Sequence, residues 1–191
     1  MEWNRHDSYE GTHAFLSASQ HSWLSYNDEK LKSVFKSQFA KQRGTELHEL
    51  AHDLIRFKQK LPRQHITFNM FVNDAIGFKM DSEILLFYSP NCYGTADAIL
   101  YDKKKRILRI HDLKTGTVVP GSMKQLQIYT ALFCLEYGVN PNDLELIELR
   151  IYQNDDVVIE EADPIEILHI MDRIVAFDKI IEEIKDGLDI W

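Results

Sequence analysis

The chain has 191 residues, 45% of them hydrophobic and 27% charged, a composition typical of one globular domain with a core of its own. No apolar run approaches the roughly 20 residues that span a membrane, and the N-terminus lacks the apolar core of a signal peptide, so we expect a cytoplasmic protein without membrane contact. Two cysteines, Cys92 and Cys134, fit a reducing compartment and are too few for a four-cysteine zinc or iron–sulfur site.

The net charge of −8 is unevenly distributed along the chain. Residues 140–191 contain 4 basic and 15 acidic residues (net −11), whereas residues 1–139 contain 18 basic and 15 acidic residues (net +3). Local field rather than total charge decides whether a phosphate can approach, so the mildly basic part of the chain permits nucleic-acid binding.

Helical signals dominate residues 17–80, after a loosely ordered lead-in at 1–16. Ser17 and Gln20 form a capping-box pattern that predicts a short helix through Trp23 and Leu24. We expect a second helix after Asn27-Asp28, a third from Gly44-Thr45 that ends at Pro62, and a fourth over about 68–78.

Strand signals follow over residues 83–153. The sequence predicts a strand at 83–88, a hairpin within 93–116 whose turn carries Lys103, Lys104 and Lys105, a crossover helix at 123–137 capped by Gly138, and strands at 144–152 and 157–159. Asp163-Pro164 opens a final acidic helix that extends to about residue 186. We therefore predict a single α/β domain, 1–191, with a mixed β-sheet flanked by helices.

The hairpin carries the first candidate site. Asp112 and Lys114 are two residues apart on a strand and so share a face, and the partner strand can bring Asp97 beside Asp112. Two carboxylates form a hard oxygen site suited to Mg²⁺ or Mn²⁺, and a neighbouring lysine can orient or deprotonate a water. The alternative is an ordinary hairpin with charged surface residues.

The predicted third helix carries a second pattern, His48-Glu49-Leu50-Ala51-His52, which is literally H-E-x-x-H. In zinc proteases this spacing places two imidazoles on one metal and the glutamate beside the reacting water. A third ligand is required, and Glu83 is a candidate, although it lies on a strand. The metzincin extension is absent because Ile55 and Lys58 stand where glycine and histidine are needed.

The crossover helix carries a third group. Gln125 and Tyr129 are four residues apart and share one helical face, from which both can hydrogen-bond a phosphate or a water near the hairpin. The alternative is a surface glutamine beside a half-buried core tyrosine.

Taken in order, these motifs resemble a known family. Gly44-Thr45-x-x-His48, Gly94-Thr95-Ala96-Asp97, the run from Asp112 to Gly116, and Gln125-x-x-x-Tyr129 are similar to the motifs of the RecB-type branch of the PD-(D/E)xK nucleases. The compact phage-type exonucleases of that branch are most similar, including their N-terminal Leu16-Ser17-Ala18-Ser19 followed by a tryptophan. The resemblance covers roughly residues 16–150 and implies the restriction-endonuclease-like core.

The resemblance implies a role for each matching position. His48, Asp97 and Asp112 correspond to metal ligands, with the carbonyl group of Leu113 completing the set, and Lys114 corresponds to the catalytic lysine. Gln125 and Tyr129 correspond to the motif that positions DNA or the water, and Gly44 and Gly94 to positions of close backbone approach. His52 stands where some relatives carry an acid, so its role is left open.

The implied activity is Mg²⁺- or Mn²⁺-dependent hydrolysis of DNA, as an exonuclease in DNA processing or recombination, in the host cytoplasm if a phage encodes the chain. The cysteines of the iron–sulfur relatives are absent, so no iron–sulfur cluster is expected. Helicase motifs are absent too, so a helicase, single-strand-annealing or recombination protein would be a separate chain. A zinc protease built on His48, Glu49 and His52 and a catalytically silent DNA-binding module remain the alternatives, and the oligomeric state and polarity of cleavage are open.

Overall fold

The structure is a computed structural model that describes residues 14–18, 21–116 and 121–187. The chain divides into two compact units, Met1–Thr45 and Glu46–Trp191, which we describe separately. The regular elements are α1 (Asp28–Arg56), α2 (Thr67–Phe78), β1 (Asp81–Ser89), β2 (Cys92–Asp102), β3 (Ile107–Leu113), α3 (Met123–Tyr137), β4 (Leu146–Gln153), β5 (Asp156–Glu161) and α4 (Pro164–Gly187). Among these described helices, none combines the length and apolar character needed to cross a membrane.

The first unit contains a 3₁₀ turn at His21–Ser25 and the N-terminal part of α1. The predicted cap at Asn27 is confirmed, because its Oδ1 accepts a hydrogen bond of 2.8 Å from the backbone N–H of Lys30. Gln20 and Ser19 lie outside the described residues, as does most of the expected lead-in at 1–16.

The prediction that a new helix begins at Gly44-Thr45 is wrong. Helix α1 runs without interruption from Asp28 to Arg56, through both residues. The hydroxyl of Thr45 donates to the carbonyl of Lys41, 3.3 Å away, instead of capping a new N-terminus. A threonine can bond back one turn in this way, and a single glycine lowers helix stability by only about 1 kcal/mol, so neither residue stops the helix.

The second unit is built on a five-stranded mixed sheet with the order β1-β2-β3-β4-β5. Strands β1 to β3 pair antiparallel, β3 and β4 pair parallel, and β5 returns antiparallel to β4. The predicted crossover through α3 is confirmed, since parallel neighbours require a connection of this kind. The β2–β3 turn forms at the predicted lysines because Asp102 Oδ1 accepts hydrogen bonds from the backbone N–H groups of Lys104 and Lys105, each 3.1 Å long.

Helices cover both faces of the sheet through two hydrophobic clusters. The first cluster joins α3 and α4 to the sheet through residues such as Leu132 and Ile167. The second joins α2 and the C-terminal part of α1 to the opposite face through residues such as Phe71 and Leu54. The acidic final helix therefore packs on the sheet domain through its N-terminal half, a point that its charge pattern left open.

A polar network braces the parallel strand pair beneath α2. The guanidinium groups of Arg109 on β3 and Arg150 on β4 both lie over the ring of Phe78, at 4.7 and 4.8 Å from its centroid. Both also bond Oε1 of Glu148, at 3.0 and 2.9 Å. Contact with the fully buried His111, followed by Arg150 and Arg109, lowers the pKa of Glu148 to about 2.

Candidate active site

Two acids on neighbouring strands mark the centre of the candidate site. Asp97 lies on β2 and Asp112 on β3, one step beyond the paired residues Ala98 and His111. The backbone N–H of Leu113 donates a 2.7 Å hydrogen bond to Oδ2 of Asp97. This bond crosses from one strand to the other and fixes the Asp97 carboxylate beside the end of β3.

The imidazole of His48, on α1, reaches the same place. Its Nδ1 lies 3.4 Å from Oδ1 of Asp97 and 4.0 Å from Oε1 of Glu83 on β1. One potential ligand atom from each of these three residues lies within 4.8 Å of the others. The structure thus brings together the expected His48 and Asp97 and adds Glu83 to them, whereas the expected ligand Asp112 does not belong to this group.

From residue order alone, Glu83 is a candidate only for the third ligand of a zinc protease. In the sequence, Glu83 is visible only as an acid that precedes the apolar run Ile84–Tyr88. The backbone conformation that directs its side chain toward the site does not follow from the sequence. Glu83 has φ +54°, in the left-handed region that residues other than glycine seldom occupy.

The alternation of side chains between the two faces of the sheet is interrupted near Glu83. Ala96 and Ile99 both lie in the first hydrophobic cluster and Ala98 in the second, although alternation would place Ala96 and Ala98 on one face. The register pairs Ser82 with Ala98 and Ile84 with Ala96, so the irregularity falls where Glu83 stands opposite Asp97. A local backbone departure of this kind concentrates at functional sites, where it re-aims a side chain.

A chain of hydrogen bonds leads from Asp112 onto α3. The ammonium Nζ of Lys114 lies 3.0 Å from Oδ1 and 2.9 Å from Oδ2 of Asp112, and donates to Oε1 of Gln125 at 2.8 Å. The amide Nε2 of Gln125 in turn donates to the hydroxyl of Tyr129 at 2.9 Å. The four predicted residues therefore form one connected group, with Lys114 at its centre.

Gly94 permits the close approach that holds Tyr129 in this group. A Cβ atom at Gly94 would lie 2.8 Å from Cε1 of the Tyr129 ring, closer than real contacts allow. Strand β2 and helix α3 can pack at this spacing only because the position has no side chain. Close backbone approach at Gly44 stays a prediction. This residue belongs to the first unit and is buried within α1.

The site concentrates negative charge in partly buried surroundings. Burial, followed by the charge of Asp97, raises the pKa of Asp112 and likewise the pKa of Glu83. The interaction with Asp97 raises the pKa of His48, which favours its protonated form. A cation placed among carboxylates that repel one another in this way stabilises them.

The residues present fit a hard divalent cation. Oδ2 of Asp112 is buried and has no hydrogen-bond partner among the described residues, although Lys114 lies near it. Carboxylate oxygens with one imidazole are a donor set that suits Mg²⁺ or Mn²⁺. Leu113 contributes through its N–H group, and the role of its carbonyl group stays a prediction.

The second histidine of the H-E-x-x-H pattern is occupied elsewhere. Nδ1 of His52 lies 2.9 Å from the hydroxyl of Ser82, and His52 does not belong to the group formed by His48, Glu83 and Asp97. Glu49 is exposed on the surface of α1. A zinc protease would need both imidazoles on one ion, an arrangement that these contacts do not favour.

Comparison with family models, curated proteins and solved structures yields no match to this chain.

Proposed function

We propose that this protein is a divalent-metal-dependent deoxyribonuclease that hydrolyses phosphodiester bonds, acting as an exonuclease. One observation carries the proposal: Nζ of Lys114 joins Asp112 to Gln125 directly beside the group of His48, Glu83 and Asp97. A lysine held between an acid cluster and a polar helix face suits hydrolysis of a phosphate ester. The motif resemblance to the RecB-type PD-(D/E)xK nucleases supports the same assignment.

The metal would be held by His48, Asp97 and Asp112, with Glu83 as a fourth candidate ligand. When bound, Mg²⁺ or Mn²⁺ supplies Lewis-acid polarisation of the scissile phosphate and offsets the charge that develops on it. The hydrogen bond from Leu113 to Asp97 restricts rotation of that carboxylate, so the site is organised before substrate arrives.

Lys114 supplies the fixed positive charge of the chain itself. Its side chain is 28% exposed, so its ammonium group is partly shielded from solvent and yet accessible to a phosphate. From this position it stabilises negative charge on the phosphate and orients the attacking water. Gln125 holds the ammonium in place, because its Oε1 accepts one of the three N–H bonds.

Tyr129 and Gln125 complete the polar wall of the site. Burial raises the pKa of Tyr129, so its hydroxyl stays protonated and can donate a hydrogen bond to a phosphate oxygen. Contacts of this type position a nucleic-acid backbone without reading its bases. The proposed substrate is therefore DNA of any sequence, and a separate helicase, single-strand-annealing or recombination protein would prepare or receive the strand.

The direct test is cleavage of linear and circular DNA, single- and double-stranded, with Mg²⁺, Mn²⁺ or EDTA. We expect degradation of linear DNA alone, abolished by EDTA and by Lys114→Ala but not by Glu49→Ala. Cutting of closed circles would replace the exonuclease by an endonuclease at the same site. Absence of cleavage from every substrate would overturn the proposal, and protease activity lost in Glu49→Ala would establish the zinc alternative.

A further inference from the structure

Beside the candidate active site lies a cavity of about 600 Å³ whose charged lining is mainly basic. His52 and Ser82 form its wall toward the site, since Ser82 precedes Glu83 and His52 lies one helical turn from His48. Arg56, Lys58 and Lys79 also line this cavity, with Asp81 as the acid among its lining residues.

These three basic side chains have no ion-pair partner among the described residues. All three residues are exposed. Their positive charge is therefore available to an external anion, in a protein whose net charge is −8.

Two of these lysines have an unusual backbone conformation. Lys58 and Lys79 each follow the end of a helix, α1 and α2, with φ +57° and +61°. Glycine or asparagine is the usual residue in this left-handed conformation. A cation at a helix C-terminus gains some energy from the helix dipole, and this applies to Arg56, the last residue of α1, as well as to the two lysines.

A second basic cavity continues from the first. It measures about 570 Å³ and shares Lys79 as a lining residue, together with Lys103, Lys104 and Lys105 of the β2–β3 turn. Asp102 is the acid in this lining, and its Oδ2 lies 3.8 Å from Nζ of Lys105. Along β2, the five residue steps from Asp97 to Asp102 span about 17 Å. A duplex strand carries one phosphate every 3.4 Å or so of helix axis, so this length matches several phosphates.

We propose that Arg56, Lys58, Lys79 and the three turn lysines form a basic track that binds the phosphodiester backbone of the DNA strand reaching the candidate active site. The inference rests on the proposed nuclease function and extends it to the path of the substrate. Phosphate is the ligand that the charge selects, and the continuity through Lys79 selects a chain of phosphates rather than a single anion.

The test measures DNA binding separately from cleavage. Fluorescence anisotropy in EDTA, over a series of KCl concentrations, gives the affinity for labelled single-stranded and duplex DNA without turnover. The variant carries Arg56→Gln, Lys58→Asn and Lys79→Asn, because asparagine tolerates the left-handed backbone. The matched control carries Arg173→Gln, Lys179→Gln and Lys185→Gln, which remove equal charge from the exposed surface of α4.

We expect the track variant to bind DNA roughly tenfold more weakly or worse, with the slope of log K against log salt reduced by about two units. The control variant should bind like the parent, and equal melting temperatures would show that all three proteins fold alike. A track variant with the parent's affinity and salt slope would overturn the track.

The two proposals fail in different ways. If the parent binds DNA and cleaves none, the nuclease assignment fails, while the track is still judged by the variant's affinity. If the parent cleaves DNA and the track variant binds it unchanged, the nuclease assignment stands and the track fails. A parent that binds no DNA in EDTA at any salt concentration overturns the track, and the nuclease assignment is then judged by the cleavage assay alone.

Discussion

The backbone N–H of Leu113 donates a 2.7 Å hydrogen bond to Oδ2 of Asp97, so the position of one proposed ligand is fixed by the neighbouring strand. Asp97→Asn keeps an acceptor for this bond and removes the charge. Because that charge raises the pKa of Asp112 and Glu83, we expect the metal-free variant to unfold at no lower denaturant concentration than the parent, and to lose cleavage.

Asp97→Ala is the matched comparison, since it removes the acceptor as well. A buried donor without a partner costs about 1–3 kcal/mol, so this variant should be less stable than Asp97→Asn by that amount. Urea unfolding of both variants, with the cleavage assay alongside, measures the difference. Equal stability of the two variants would show that the Leu113 bond contributes nothing.

Lys114→Ala should lower the rate of cleavage by about 10²-fold or more, because it removes the fixed charge that stabilises the transition state. Circular dichroism should show an unchanged fold, since the side chain is partly exposed. Lys124→Ala serves as the control, because that lysine is 65% exposed and bonds Glu166 at the surface. Unchanged turnover in Lys114→Ala would remove Lys114 from the mechanism.

Glu83→Gln tests the candidate ligand that the nuclease motifs do not include. We expect the Mg²⁺ concentration for half-maximal cleavage to rise on the order of tenfold or more, since a ligand carboxylate becomes a neutral amide. Glu49→Gln, on the exposed side of α1, should leave this concentration unchanged. The opposite pattern, with Glu49 essential, would favour the zinc alternative.

Gly94→Ala places a methyl group where the Tyr129 ring packs, 2.8 Å from its Cε1. The ring must move, which breaks the hydrogen bond between the Tyr129 hydroxyl and Gln125. We expect a lower kcat with the overall fold retained. Gly77→Ala is the control, because nothing lies within 4 Å of the added atom and alanine stabilises a helix by up to about 1 kcal/mol. Steady-state kinetics that match the parent in Gly94→Ala would contradict the packing argument.

Stability should depend on pH through His111. Burial lowers the pKa of this ring in the folded protein, so below about pH 6.5 the unfolded chain takes up a proton that the folded chain does not. This histidine therefore lowers the free energy of unfolding as the pH falls below about 6.5. Glu148, with its pKa lowered to about 2, retains its stabilising charge throughout that window.

Denaturant unfolding between pH 8 and pH 5.5 measures the effect. His111→Gln should have a flatter dependence on pH than the parent, whatever its absolute stability, because the other histidines contribute equally to both proteins. Parallel curves for the two proteins would show that His111 titrates alike in the folded and unfolded states.

Much of the sheet could be read from local pattern. Alternating apolar residues around Lys103–Lys105 predicted the hairpin, and its antiparallel register is what allows Asp97 to approach Asp112. The helix break at Gly44 was predicted from a local signal that the continuous helix overrides. The left-handed backbone conformation of Glu83 does not follow from residue order. The presence of Arg56 and Lys79 in the lining of one cavity does not follow from it either, since both features depend on how distant segments pack.

Glu83 stands where glycine would fit the backbone better, because a left-handed conformation costs a residue with a side chain about 1 kcal/mol or more. A chain selected for stability alone would exchange this glutamate for glycine and relieve the crowding of negative charge near Asp97 at the same time. Stability and activity thus make opposite demands on one position. A mutant library screened first for heat resistance and then for nuclease activity should separate them at residue 83.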